Sequence, residues 1–211
     1  AGVDECGKGD FFGPLVIAGV YVDEKKHDKL KKAGIRDSKK MSDRSIQIAA
    51  REIRKYCLSG IAIVSIGPEA YNRLYDKILN LNKLLAWGHS RVIENLIEKV
   101  PTCKEVISDK FGNEHLIKDA LMKKGGKIKL IQKTKAESDI AVAAASIIAR
   151  EHFLRKLDEM GKQLGFVLPK GASKKVDEIA RKIFIEKGPD FMKTIAKTHF
   201  KTMSKISQGE K

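Results

Sequence analysis

A chain of 211 residues with 42% hydrophobic residues can build the core of one medium domain with an appendage, which excludes disorder throughout. Its 42 Lys and Arg against 27 Asp and Glu leave a formal charge of +15. That excess suits a polyanionic partner, most commonly nucleic acid; the alternative is a Lys- and Glu-rich surface of the thermophilic kind. No run approaches the roughly 18 apolar residues that span a membrane, and no signal peptide is visible. Cys6, Cys57 and Cys103 are odd in number and too widely spaced for a disulfide framework or a zinc ribbon. A reducing cytoplasm is the expected compartment.

The elements are read in chain order. Ala1 to Cys6 predicts a short strand, Gly7 to Gly13 a turn, and Pro14 to Val22 a strand rich in β-branched residues. A short glycine-rich connection between two strands implies an antiparallel hairpin. Lys25 to Ala33 reads as an exposed lysine-rich helix stopped by Gly34. Ser42 is an N-cap for a helix that lines up Ile46, Ala49, Ala50 and Ile53. A strand is expected from Cys57 to Ile66, and Pro68 opens a helix running to about Leu79. Asn82 then caps a helix with Leu84, Leu85, Gly88, Val92, Leu96 and Ile97 on one side.

Glu105 to Ser108 predicts a strand ending at Asp109, followed by a helix around Glu114 to Lys123 and a strand from Lys127 to Gln132. A long helix is expected from Glu137 to about Gly161, with Ala143, Ala144, Ala145 and Ala149 allowing close packing. Beyond Gly165, Leu168-Pro-Lys-Gly-Ala-Ser173 breaks the pattern. A helix carrying Val176, Ile179, Ala180, Ile183 and Phe184 ends at Gly188-Pro189, and a short helix and the basic segment Lys197 to Lys201 close the chain. There is no repeat and no low-complexity linker. The sum is a mixed α/β layer fold with a helical C-terminal region at about 166–211, all within one domain, 1–211.

The residues with chemistry fall into two groups. Carboxylates recur at apparent element ends: Asp4 and Glu5, Asp109, then Glu137 and Asp139. If these converge, their oxygens suit hard cations, and two such ions can activate water and stabilise the leaving oxygen in phosphodiester cleavage. Taken singly, each also reads as a solvated carboxylate. Neighbouring strand residues point to opposite faces, so Asp4 and Glu5 share a site only where the strand twists or ends, or where the longer Glu reaches round. Thr134-Lys-Ala-Glu137 also matches a capping box, and Asp139 also suits a helix N-terminus. On a helix these two side chains diverge by about 200°, so only one of them faces a site. The basic group is the loop Gly7-Lys8-Gly9 and the stretch Asp37-Ser38-Lys39-Lys40, where ammonium groups, amides and a hydroxyl can meet phosphates. The five histidines, His27, His89, His115, His152 and His199, have no metal-ligand spacing and read as structural or solvated. No nucleophile elbow or complete phosphate loop is present.

The stretch Gly2-Val-Asp-Glu-Cys-Gly-Lys-Gly-Asp-Phe-Phe-Gly-Pro14 resembles the opening motif of the type 2 ribonucleases H. Its Gly9-Asp-Phe-Phe-Gly-Pro14 continuation is similar to the ribonuclease HIII branch. Asp37-Ser-Lys-Lys40, Leu81-Asn-Lys-Leu-Leu-Ala-Trp-Gly-His89, Ser108-Asp109, Lys135-Ala-Glu-Ser138, Ala141-Val-Ala-Ala-Ala-Ser-Ile-Ile-Ala-Arg150 and Leu168-Pro-Lys-Gly171 follow in the family's order. The resemblance implies an RNase H-like fold: a central mixed β-sheet flanked by helices, with a helical C-terminal region. It implies an endonuclease that cuts the RNA strand of an RNA–DNA hybrid with two Mg²⁺ or Mn²⁺ ions, leaving 5′-phosphate and 3′-hydroxyl ends. Asp4, Glu5, Asp109 and Glu137 would bind the metals, with Asp139 as the alternative fourth ligand. Gly7, Lys8, Gly9, Asp37, Ser38, Lys39 and Lys40 would contact nucleic acid. A monomer without an obligate protein partner is expected.

Two departures shape the alternatives. Ribonuclease HII has Gly-Arg-Gly where this chain has Gly7-Lys8-Gly9, which separates hybrid cleavage from incision at a single embedded ribonucleotide. The N-terminal TATA-binding-protein-like domain usual in HIII proteins is not in this sequence, and with the Ala1 start the expectation is either that something upstream was removed or that the chain is of a branch that lacks the domain. A non-catalytic basic binding module and a transposase-like nuclease are the more distant readings. Against a pure binder, four carboxylates on a phosphate-binding surface repel the ligand unless metals neutralise them.

Overall fold

The computed structural model describes residues 1–109, 115–121 and 128–208. Five strands form one sheet, β1 (Gly2–Cys6), β2 (Leu15–Val20), β3 (Ile61–Ile66), β4 (Glu105–Asp109) and β5 (Lys129–Lys133), in the order β3-β2-β1-β4-β5. β1 and β2 pair antiparallel from Gly2↔Val20 to Cys6↔Val16, the hairpin expected of two strands joined by a short glycine-rich turn. β4 lies parallel to β1, and β5 parallel to β4, which makes the sheet mixed. The helices are α1 (Glu24–Lys32), α2 (Asp43–Cys57), α3 (Pro68–Ile78), α4 (Leu81–Lys99), α5 (His115–Ala120), α6 (Ile140–Leu164), α7 (Lys174–Ile195) and α8 (Lys201–Ser207). No helix among the described residues is long and apolar enough to cross a membrane.

The contacts divide the chain into two compact units. The first holds residues 1–6, 16–64 and 80–152; the second holds 7–15, 65–79 and 153–211.

In the first unit, strand alternation sorts the two faces of β1. Val3 pairs with Gly19, and a Cβ at Gly19 would run into Val92 of α4 and touch Leu96, so α4 covers the face of Val3 and Glu5. A Cβ at Gly2 would overlap the backbone of Ala141 and Val142 on α6, so α6 covers the face of Gly2 and Asp4. Val3, Val16, Ile17, Leu84, Leu85, Val92, Leu96, Val142, Ala144 and Ile148 are buried there. The small residues of α6 permit this approach: Ala141, Ala143, Ala144, Ala145 and Ala149 leave room for backbone against backbone.

In the second unit, α3 packs on α7, and Asp177 on α7 accepts from Thr202 (2.7 Å) and Lys205 (2.8 Å) of α8. α7 bends at Gly188 (φ 82°, ψ 172°) before Pro189, where the sequence stops one helix and starts another.

Several boundaries differ from expectation. Cys57 ends α2 rather than starting a strand, because it completes the buried Ile46, Ala50, Ile53 stripe at helical spacing; β3 begins only at Ile61, after a 3₁₀ turn. Asn80, not Asn82, caps α4: its Oδ1 accepts from the Lys83 amide (3.1 Å), directly after Leu79 ends α3 in a left-handed conformation (φ 49°). The long helix begins at Ile140, preceded by a 3₁₀ turn at Ala136–Ser138. The strand expected from Pro14 to Val22 is trimmed to Leu15–Val20. The helix start at Glu114, its end at Lys123 and the strand start at Lys127 lie outside the described residues.

Gly2→Ala must force α6 away from β1, because the obstructing atoms are backbone and cannot rotate aside. The expected cost is about 1–3 kcal/mol, read from the denaturant midpoint at unchanged m-value.

Candidate active site

The site is built at the C-terminal ends of β1 and β4. Their parallel register pairs Val3 with Ser108, so Asp4 and Asp109 come next on neighbouring strands. Asp4 points to the α6 face. Its Oδ1 accepts from the Glu5 amide (2.9 Å), and Ser146, one turn beyond Val142, hydrogen-bonds its side chain. Burial, and then the neighbouring charge of Glu5, push the Asp4 carboxyl up to about 6. Among the described residues Asp4 has no lysine or arginine ion pair.

Glu5 points to the α4 face. There the fully buried His89 holds it, with Nε2 at 3.0 Å from Glu5 Oε2 and Nδ1 at 3.1 Å from the Ser108 hydroxyl. His89 therefore links the carboxylate of β1 to β4. Its spacing gave no hint of this, since an isolated histidine has no metal pattern; the signal available was its place at the end of Leu81 to His89. The side-chain alternation within β1 thus holds, and Asp4 and Glu5 flank the strand.

Glu137 reaches the same edge through the turn after β5. Lys135 is left-handed (φ 56°), and the Ala136 amide donates to Asp109 Oδ1 (3.3 Å), which brings the 3₁₀ turn against the end of β4. Glu137 meets Lys39 Nζ at 3.0 Å. Its own amide, and then Lys39, hold its carboxyl below the usual range, while the same contact raises Lys39. Asp139 does a different job. Its Oδ1 accepts from the amides of Ala141 (2.8 Å) and Val142 (3.4 Å), so it caps α6, and the capping box expected of Glu137 does not form.

The Asp37 to Lys40 stretch forms a 3₁₀ turn that Asp37 caps through the Lys39 amide (2.9 Å). Ser38 is buried, its hydroxyl 2.8 Å from that of Ser146, and Arg150 donates both to the Ser38 carbonyl and to Asp43 (2.8 Å). The Ser38 hydroxyl is thus spent on the α6 face beside Asp4, and the Lys39 ammonium is exposed. Gly7, Lys8 and Gly9 belong to the second unit. Gly7 sits at φ 92°, where a Cβ would strike the Pro14 carbonyl, so the position needs glycine; Lys8 and Gly9 are exposed.

A cleft of about 620 Å³ opens beside Glu137 and Asp139. His27, Lys31, Arg36 and Lys135 line it too. From the sequence, α1 was simply a solvated lysine-rich helix; only the fold lays one of its edges along the carboxylates.

Hard-oxygen donors dominate the strand ends, and among the described residues no lysine or arginine pairs with Asp4, which fits a divalent cation in chemistry. Among the described residues no three His, Cys, Asp or Glu side chains stand close enough to enclose an ion. Glu5 and Glu137 are turned toward His89 and Lys39 instead.

Comparison with known proteins gives this arrangement a family. A family model described as Ribonuclease HII matches residues 1–203. Ribonuclease HIII of Protochlamydia amoebophila is 43% identical over 205 residues, 97% of this chain and 67% of that protein. Ribonuclease HIII of Chlamydia pneumoniae is 45% identical over 211 residues, 99% of this chain and 70% of that protein. Among solved structures, Bst-RNase HIII in complex with Mn²⁺ matches with a TM-score of 0.91 at 33% identity, covering 100% of this chain and 69% of that one. Aquifex aeolicus RNase H3 matches with a TM-score of 0.75 at 34% identity, covering 93% and 70%. The chain belongs to the ribonuclease HII family, the type 2 ribonucleases H with an RNase H-like fold. Within that family it is of the ribonuclease HIII kind, a hydrolase that acts as an endoribonuclease on RNA–DNA hybrids. It spans about two thirds of the length of these relatives.

The raised Asp4 carboxyl has a defined sign. The folded state binds a proton between the ordinary value of 3.8 and about 6 that the unfolded chain does not, so this contribution weakens the fold as pH rises through that window. Without divalent ions, Asp4→Asn is expected to melt higher than the parent at pH 7.5, by at most about 3 kcal/mol in stability, with the difference vanishing below about pH 4. Thermal melts of both proteins across pH 4–8 check it; a parent that outlasts the variant at pH 7.5 contradicts it.

Proposed function

We propose that Asp4, Glu5, Asp109 and Glu137 hold two divalent ions, Mg²⁺ or Mn²⁺, for hydrolysis of the RNA strand, leaving 5′-phosphate and 3′-hydroxyl ends. The observation that carries this is the pair Asp4 and Asp109, side by side at the ends of two parallel strands, with the Asp4 carboxyl pushed up to about 6 and unpaired with any cationic side chain among the described residues. A structural relative crystallised with Mn²⁺ supports the choice of metal. Bound ions would supply charge neutralisation and water activation for in-line attack on the phosphodiester.

The protein's own residues do the rest. Asp4 and Asp109 stand ready on rigid strand ends. His89 fixes the rotamer of Glu5 from the opposite face. Lys39 occupies Glu137 as a resident cation, a contact that metal entry would exchange for a stronger one while freeing the ammonium for a phosphate. The caps of the two turns have separate tasks: Asp139 starts α6, and Asp37 starts the turn that presents Lys39. Nucleic acid is contacted through Gly7, Lys8 and Gly9, through the Asp37-Ser38-Lys39-Lys40 turn, with Ser38 as its buried support, and through Lys31 and Arg36 along the cleft. The hybrid is bound by a monomer, and the setting is cytoplasmic.

Asp4→Asn and Asp109→Asn are each expected to abolish Mg²⁺-dependent cleavage of a continuous RNA–DNA hybrid while the circular dichroism spectrum stays unchanged. Glu137→Gln should lose at least about a hundredfold in kcat, and Asp139→Asn should lose little, since Asn caps as well as Asp. The reverse ranking would move the fourth ligand to Asp139. A duplex with one embedded ribonucleotide should be cut far more slowly than the continuous hybrid.

The cleft has its own test. Lys31→Ala with Arg36→Ala should weaken hybrid binding and lower the slope of log affinity against log salt by about 2, about one for each lost phosphate contact. An unchanged slope would place the hybrid elsewhere.

A further inference from the structure

Lys197 is fully buried, which is rare for lysine, and no step above uses it. Its Nζ donates to the carbonyls of Asp10 and Gly13, each at 2.7 Å. Its amide donates to the Phe11 carbonyl (2.9 Å), and the Gly13 amide donates to Ile195 (3.0 Å) beside a bridge between Phe12 and Ala196. All of these residues belong to the second unit. We propose that Lys197 is a positioning residue for the nucleic-acid-binding loop, setting the pose of Gly7, Lys8 and Gly9 through backbone carbonyls without touching substrate itself. This rests on the reading of Gly7 to Gly9 as that loop.

The physical case begins with cost. Burying an ammonium sacrifices its hydration, and an apolar side chain of similar volume would fill the same space without that penalty. What an apolar side chain cannot do is orient two carbonyls. With the Asp10 carbonyl turned in toward Nζ, the planar peptide directs the Phe11 amide the other way, where it donates to the Gly171 carbonyl (2.9 Å). The Asp10 carboxylate closes the same junction by accepting from the Gly171 amide (2.6 Å). Residues 10–13 are thereby fastened at both ends. The exposed tip, Lys8 and Gly9, is the short turn just before this clamp, closed by the Asp10 amide on the Gly7 carbonyl (3.3 Å).

Lys197 is itself held. The Asn72 side-chain amide donates to the carbonyls of Lys193 (3.1 Å) and Ala196 (2.9 Å), and its Oδ1 accepts from the Thr198 amide (3.1 Å). The Tyr71 ring lies 5.7 Å from Nζ, and His199 stacks on Tyr71 and Tyr75 at 5.5 and 4.1 Å. A cation in this setting has one geometry, so the loop it fastens has one too. A prepositioned loop binds without first paying to be ordered.

The test uses the whole chain and a continuous RNA–DNA hybrid, with affinity measured by fluorescence anisotropy without divalent ions and kinetics measured with Mg²⁺, all below the melting temperature of each variant. Lys197→Met is expected to bind the hybrid about tenfold more weakly and to raise KM with kcat nearly unchanged. Lys8→Ala should also weaken binding, and Lys8→Ala in the Lys197→Met background should add little, because Lys8 already lies in a loosened loop. Amides of residues 8–10 should exchange faster in Lys197→Met. If that variant does not fold, Asn72→Ala loosens the same segment with the buried charge in place, and weaker hybrid binding is again expected. Wild-type affinity and KM in the folded Lys197→Met or Asn72→Ala variant, with only a lower melting temperature, would reduce Lys197 to a structural role and overturn the proposal while the loop reading stands on Lys8→Ala. Additive losses in the double variant would overturn it too. Wild-type binding by Lys8→Ala and Lys197→Met together would overturn the loop reading, and this inference with it.

Discussion

The parallel pairing of β1 with β4 is the constraint on which the candidate site depends. One register, Val3 against Ser108, brings Asp4 and Asp109 to the same level and puts the Ser108 hydroxyl within reach of His89. A slip of one residue would send every side chain of β1 to the wrong face. Two helices prevent that slip. α6 lies so close that only glycine fits at position 2, and α4 packs Val92 against Gly19 on the other side. The carboxylates are therefore held by packing that has no chemistry of its own.

That scaffold divides the two acidic neighbours instead of joining them. Asp4 shares the α6 face with Ser146, whose hydroxyl also meets the buried Ser38. Glu5 shares the α4 face with His89. Each acid thus has its own supporting residue, and the Asp37 to Lys40 turn is joined through Ser38 and Arg150 to the helix that lies over Asp4. The basic turn and the acidic strand share one support, which suits a surface that must hold cations and polyanion together.

Much of this was legible in the residues. The hairpin, the Ser42 cap, the apolar stripe of α2, Pro68 opening α3 and the break at Gly188 all arise from short-range effects: strand alternation, helical period, caps and proline geometry. The misplacements were of the same short range but turned on competition. Cys57 could serve a strand or complete a helical stripe, and burial decided for the helix. Asn80 and Asn82 could each cap α4, and the left-handed Leu79 chose Asn80. Glu137 and Asp139 both suited a helix start, and the cap went to the residue directly before Ile140, leaving Glu137 to face Lys39.

By itself the sequence determined the mixed α/β class, the positions of the acidic residues at element ends, the basic surplus and, through motifs spread along the chain, the family. These depend on residue type and spacing, which the order of the chain contains. Only the tertiary structure decided which carboxylates stand together, that His89 supports Glu5 across 84 positions, that an edge of α1 lines the cleft beside Glu137, and that Lys197 is buried under a loop 184 positions before it. The reason is physical. A buried ammonium or imidazole is defined by the carbonyls and hydroxyls that replace its water, and those partners come from segments whose nearness exists only once the chain has folded.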